Sequence, residues 1–161
     1  MIVRAGDLQP EGLLLGEQLE LEPLGYDGGL EIGVVGAAVK ARILPSRGGL
    51  VCSGRLEATA LVPCSRCLEP YSFPVARDFD LVYLPPPQDP GEAGQELQIT
   101  RDDLDVAYLT QERELDLNGL AAEQIYLALP MKPLCSEECR GLCQFCGCNL
   151  NTELCRCSVT A

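Results

Sequence analysis

Ten cysteines and no histidine set the chemistry open to this chain, and eight of the ten fall in close pairs. Cys64 and Cys67 form CSRC near the middle. Cys135, Cys139, Cys143, Cys146, Cys155 and Cys157 crowd the end in LCSEECRGLCQFCGCNLNTELCRC. Thiolates two or three residues apart converge on one ion, because a short turn brings both sulfurs to one side. The expected ion is zinc, and without histidine every ligand is a thiolate. GLCQFCG is the strongest single motif: the amides after its first thiolate point at sulfur, and the glycine permits the tight turn. CSRC lies between strand-like runs and reads as a second knuckle, at the tip of a hairpin.

Pairing by proximity gives two sets of four. One is Cys143, Cys146, Cys155 and Cys157. The other joins Cys64 and Cys67 to Cys135 and Cys139 and ties the C-terminal segment onto the sheet. The alternative is one site drawn from the six C-terminal cysteines, with CSRC left free. One or two structural zinc ions are therefore expected, in closed sites with no position for water. Such sites contribute to folding directly, by roughly 10–16 kcal/mol of apparent binding energy in small peptides. Disulfides compete with this reading, but they belong to oxidising compartments. MIVRAGDLQP has neither an apolar run nor a cleavage site, so export is not expected and the chain is read as cytoplasmic. A redox role for CSRC needs a helix start to lower its first thiol, and its flanks look like strands. Cys52 and Cys148 stand outside the pairs, and Cys52 reads as a packed, inert thiol.

Catalysis is not expected. There is no histidine for general base work, no phosphate-binding glycine loop, no nucleophile elbow and no dinucleotide fingerprint. Asp102, Asp103 and Asp105 read as a solvated acidic run. No apolar stretch approaches the roughly 18 residues a membrane span needs.

The net charge is −12. Two four-thiolate zinc sites would take it to about −16. That sign opposes binding to phosphate backbones by charge alone. The distribution is uneven, however. Residues 85–130 are strongly acidic, whereas residues 32–77 carry Lys40, Arg42, Arg47, Arg55, Arg66 and Arg77 against Glu57 and Glu69.

The elements that position these groups follow from periodicity. Short strands are expected near 2–4 and 18–22. From about 31 to 84 apolar residues alternate with polar ones: Val39, Ala41, Ile43; then Leu56, Ala58, Ala60, Val62; then Tyr71, Phe73, Val75, Phe79, Leu81, Tyr83. Period two with small turns between runs predicts antiparallel strands with one buried face. On that register Lys40, Arg42 and Arg55 point away from the core. LPPPQDPGEAGQE at 84–96 reads as an exposed loop. Residues 96–117 are expected to add a strand or a short helix. Residues 117–129 form the best helix, capped by Asp116 and ended by Pro130, with Leu117, Leu120, Ala121, Ile125 and Ala128 near one face and Glu123 and Gln124 at polar positions. The fold expected is α+β: a single, antiparallel-sheet-dominated domain with one main helix. Residues 1–130 form the β-rich part, and residues 131–161 a cysteine-rich zinc-binding tail packed on it.

Three segments together resemble the YceD family, the large ribosomal RNA subunit accumulation proteins: VPCSRCLEPY, the helix end LALPMKPLC, and CRGLCQFCGCNLN followed by CRC. Cys64, Arg66, Cys67 and Leu68 fall on the first motif. Cys139, Gly141, Leu142, Cys143, Cys146, Gly147, Asn149, Leu150 and Asn151 fall on the last. Cys148 departs from it, where the family often has a small residue. The resemblance implies a non-enzymatic role in making or accumulating the RNA of the large ribosomal subunit. The partner expected is then a large-subunit ribosomal RNA precursor, contacted through Arg66, Lys40, Arg42 and Arg55, or a basic ribosomal protein held by the acidic region 85–130. No membrane and no small-molecule substrate is expected. A thiol redox or metal-handling protein is the alternative.

Overall fold

Three long alternating segments become the central strands of one sheet. The computed structural model describes residues 1–26, 29–46, 49–85 and 106–157. In chain order the strands are β1 (Ile2–Arg4), β2 (Leu13–Leu19), β3 (Leu24–Gly25), β4 (Glu31–Ser46), β5 (Gly49–Pro63), β6 (Pro70–Leu84), β7 (Val106–Tyr108) and β8 (Glu114–Asp116). The helix α1 (Leu117–Ala128) follows them. Strands β4, β5 and β6 run as an antiparallel meander, and β2 joins β4 antiparallel at one edge. At the other edge β7 lies parallel to β6. Strands β1 and β8 form a separate two-stranded ribbon that seats the helix start, where Leu117 N donates to Met1 O at 2.9 Å.

One face of the sheet is dry. Val39, Ala41 and Ile43 of β4, Leu50, Cys52, Leu56, Ala58, Ala60 and Val62 of β5, and Val75, Phe79 and Tyr83 of β6 are buried together. Helix α1 covers this face with Leu117, Leu120, Ala121 and Ile125. Each large side chain fully buried here, such as Ile43 or Leu56, is worth about 1.5–3 kcal/mol. Asp116 caps the helix by accepting from Asn118 N at 3.0 Å. Leu129 is extended, as the residue before Pro130 must tend to be. Gly54 is required where β5 crosses β4, since a Cβ there would lie 2.3 Å from Lys40 O.

Two expectations change in detail. The second strand is Leu13–Leu19 rather than 18–22, because Leu13 and Leu15 pair with Ile43 and Ala41 and turn toward the core. Gln124 is buried, not on a polar face: its Oε1 accepts from Arg77 Nε at 3.0 Å, so β6 supplies the partner that burial demands. Of the stretch 96–117, residues 106–116 contribute the strands β7 and β8, Leu117 opens α1, and residues 96–105 lie outside the described residues. The proline-rich loop, apart from Leu84 and Pro85, and Asp102, Asp103 and Asp105 lie outside the described residues. Among the described residues no helix is long and apolar enough to cross a membrane.

Candidate metal centres

The turn between β5 and β6 is CSRC. Leu68 N donates to Cys64 O at 2.9 Å and Cys64 N to Glu69 O at 3.0 Å, which closes the turn. Arg66 N points at Cys64 Sγ, 3.5 Å away. The tail then wraps back onto this turn. Ser65 N donates to Pro133 O at 2.8 Å on one side, and Leu142 N to Arg66 O at 3.1 Å on the other. Gly141 sits at φ +74°, and a Cβ there would lie 2.9 Å from Arg66 O, so only glycine permits the approach.

This wrapping gathers Cys64, Cys67, Cys135 and Cys139, whose sulfurs all lie within 4.8 Å of one another. Cys64 and Cys139 sulfurs are 3.8 Å apart, as are those of Cys67 and Cys135. A tetrahedral ion with Zn–S near 2.3 Å puts its sulfurs about 3.8 Å apart. The first cluster is largely buried: Cys64, Cys67 and Cys139 are at most 5% exposed and pack against Tyr71 and Leu134, and Cys135 is exposed.

The second cluster is Cys143, Cys146, Cys155 and Cys157, again within 4.8 Å of one another. Its knuckle repeats the first bond for bond. Phe145 N points at Cys143 Sγ at 3.5 Å, and Gly147 N donates to Cys143 O at 2.9 Å. The residue after the knuckle's second cysteine is left-handed in both, Leu68 at φ 61° and Gly147 at φ 73°. Cys157 N adds a third contact of this kind, to Cys155 Sγ at 3.4 Å. Sulfur separations are 3.7 Å for Cys146 and Cys155 and 3.3 Å for Cys143 and Cys155. Cys146 is exposed and its three companions are half-buried.

The thiols are electrostatically frustrated without a cation. Burial pushes the Cys64 thiol up, but the amides of Cys135, Cys67 and Arg66 outweigh it and bring it to about 6. The amides of Cys146 and Phe145 bring Cys143 to about 6 as well. The neighbouring thiols then resist ionising. Contact with Cys139 and burial push Cys135 to about 12, and contact with Cys146 and Cys155 pushes Cys157 to about 12. A divalent cation would remove this conflict, because four thiolates can share its charge. All ten cysteines are free in this structure. Cys52 is fully buried in the sheet core, and burial pushes it to about 11. Cys148 lies beside the second cluster, where its carbonyl accepts from Cys143 N at 2.9 Å.

The four basic residues singled out from the sequence fare differently. All four are exposed. Lys40 and Arg42 stand on the outward face of β4. Arg55, opposite Lys40, is paired with Glu57 and with Asp78, both at 3.0 Å. Arg66 does not stand free: its Nη1 donates to Cys139 O at 2.8 Å and Glu137 O at 3.2 Å, clasping the tail to the turn. The outward face therefore runs from positive on β4 to negative on β6, through Asp78 and Asp80. Sequence reasoning placed Asn151 on the family motif but missed its role: its Nδ2 donates to Cys139 Sγ at 3.3 Å. The repeated asparagines of NLN, between the knuckle and the last cysteine pair, were the available signal.

Fold and site together define a sheet-dominated protein with two four-cysteine clusters able to hold metal, one of which lies where the tail meets the turn of the sheet. The family described as "Large ribosomal RNA subunit accumulation protein YceD" matches residues 52–161, and the chain belongs to it. A protein of Zea mays named "Large ribosomal RNA subunit accumulation protein YCED homolog 1, chloroplastic" is 27% identical over 133 residues, covering 71% of this chain and 45% of its own length. Uncharacterized proteins of Mycobacterium bovis and Mycobacterium tuberculosis are each 27% identical over 105 residues, covering 65% of this chain and 47% of theirs. The chain thus spans about half the length of the curated relatives it matches. No solved structure matches it.

Proposed function

We propose that this protein is a non-enzymatic ribosome-assembly factor that supports accumulation of large-subunit ribosomal RNA. In this reading two structural zinc ions, held by the eight clustered cysteines, fix the tail of residues 131–161 against the β-rich part, residues 1–130. The observation that carries the metal assignment is the sulfur spacing, 3.8 Å in the first cluster, which is the edge of a zinc–thiolate tetrahedron. Four protein ligands per ion leave no open position for water or substrate, which favours a structural role over metal handling or thiol catalysis. The ribosomal assignment rests on family membership across residues 52–161. The protein acts as a soluble, cytoplasmic factor.

The working surface in this reading is the outward face of β4. Lys40 and Arg42 carry it, since Arg55 and Arg66 have intramolecular partners. A local patch can hold phosphates on an acidic protein because charges beyond about 8–10 Å are largely screened at physiological salt. The test is charge reversal, Lys40→Glu with Arg42→Glu, in a variant that retains zinc and melting behaviour. Association with large-subunit precursors should fall, and its log–log salt slope should shrink by roughly 1–2 units. A net charge of −12 favours a second reading, a basic ribosomal protein as the partner. Unchanged association of the reversed variant with precursors would select it.

A further inference from the structure

The loop that carries the second cluster also reaches the first. Asn151 lies four residues before Cys155, inside the span from Cys143 to Cys157. Its Oδ1 accepts from Arg140 N at 2.8 Å. A backbone N–H only donates, so this bond fixes which end of the amide is oxygen. The Nδ2 end is thereby aimed at Cys139 Sγ, 3.3 Å away, and at Asn149 Oδ1, 2.8 Å away. Asn149 Oδ1 also accepts from Asn151 N at 3.0 Å and holds the loop in register. The backbone adds a second link: Leu150 N donates to Gly141 O at 2.9 Å, next to the Leu142–Arg66 bond.

Cys139 belongs to the buried cluster, and Asn151 belongs to the exposed loop. A donor to a metal-bound thiolate orients the sulfur and offsets its charge, and loss of such outer contacts typically weakens metal binding 10–100-fold. We propose that Asn151 is a positioning residue that couples the two centres: closing the 143–157 loop around its own divalent ion presents the Asn151 amide to Cys139, and the buried centre then holds its ion more tightly. By linkage the effect is reciprocal, so an ion in the buried centre tightens the exposed one by the same factor. This coupling rests on the reading that both clusters hold metal.

The experiment uses the full chain loaded with cadmium, which reports each centre as a separate ¹¹³Cd resonance assigned through coupling to the cysteine β protons. The affinity of the buried centre is then measured by zinc titration against a chelating dye. Asn151→Ala should weaken the buried centre about tenfold while the exposed centre stays loaded. Asn151→Asp keeps the size and the Arg140 bond but turns a carboxylate oxygen toward sulfur, and should weaken it further. Cys143→Ser with Cys146→Ser, which opens the loop, should weaken the buried centre by a factor similar to Asn151→Ala. Adding Asn151→Ala to that pair should then cost nothing more, because the loop no longer presents the amide. Independent, multiplying losses, or unchanged affinity in every variant, would overturn the coupling while leaving the metal assignment intact. Fewer than two cadmium resonances in the unmodified chain would overturn both.

Discussion

The two cysteine clusters share a knuckle geometry and differ in what they join. In the buried cluster, cysteines that meet are 75 and 68 residues apart, across the sheet turn and the tail. In the exposed cluster they are 12 and 9 apart, all within the tail. Closing a 75-residue span costs only about 1.6 kcal/mol more chain entropy than closing a 12-residue one. Loop length therefore does not separate the two. Burial does: three cysteines of the first cluster sit under the tail with Tyr71 and Leu134 packed on them, so an ion held there would stand or fall with that packing. The same local turn serves as a staple between elements in one place and as a local brace in the other.

The largest expected effect comes from breaking the staple. Cys64→Ser should release one zinc by elemental analysis, free residues 131–157 to proteolysis, and lower unfolding stability by on the order of 5 kcal/mol or more. Cys155→Ser should also release one zinc, yet shift the melting of the sheet by no more than about 1 kcal/mol, because its ligand partners all lie in the tail. Equal losses from the two variants would erase the distinction.

A second way to sharpen the comparison is pH. In the metal-free buried cluster Cys64 ionises near 6 and Cys139 is lowered, while Cys67 is raised and Cys135 stands at about 12. Metal uptake near neutral pH must expel at least two protons, those of Cys67 and Cys135, so affinity rises with pH and falls on acidification. Calorimetry in buffers of different protonation enthalpy measures this number directly. The smallest effect concerns the left-handed residue that follows each knuckle. Leu68 is 52% exposed and holds a conformation that costs a non-glycine residue about 1 kcal/mol. Leu68→Gly should leave thermal stability unchanged or raise it slightly. Gly147→Ala, with open space around its Cβ, should lower the tail's stability by about 1 kcal/mol.

Much of this architecture can be read from the chain. Alternation from Val39 to Tyr83 gives the strands and their buried face, because burying one face fixes period two. Asp116 and Pro130 bracket the helix through local backbone chemistry alone. Close cysteine pairs gather where short spacing says they should, although spacing alone left open whether CSRC would meet Cys135 and Cys139 or stand apart. What could not be read are partners across strands. Arg55 finds Asp78, and Gln124 finds Arg77, only once register and helix docking are set. Arg66, expected as a partner contact, is held by the chain itself. The carbonyls that hold it belong to residues 137 and 139, which reach it only because the tail folds back.

The order in which the ligands are made differs between the clusters. At 5–20 residues per second, synthesis reaches Cys135 about 3–14 s after Cys67. The sheet hairpin can form in microseconds, so for most of that interval its turn carries two thiols and half a coordination shell. The fifteen residues from Cys143 to Cys157 take only about 1–3 s. A newborn chain therefore presents half of this cluster to the cell for seconds, before the closing half has been made.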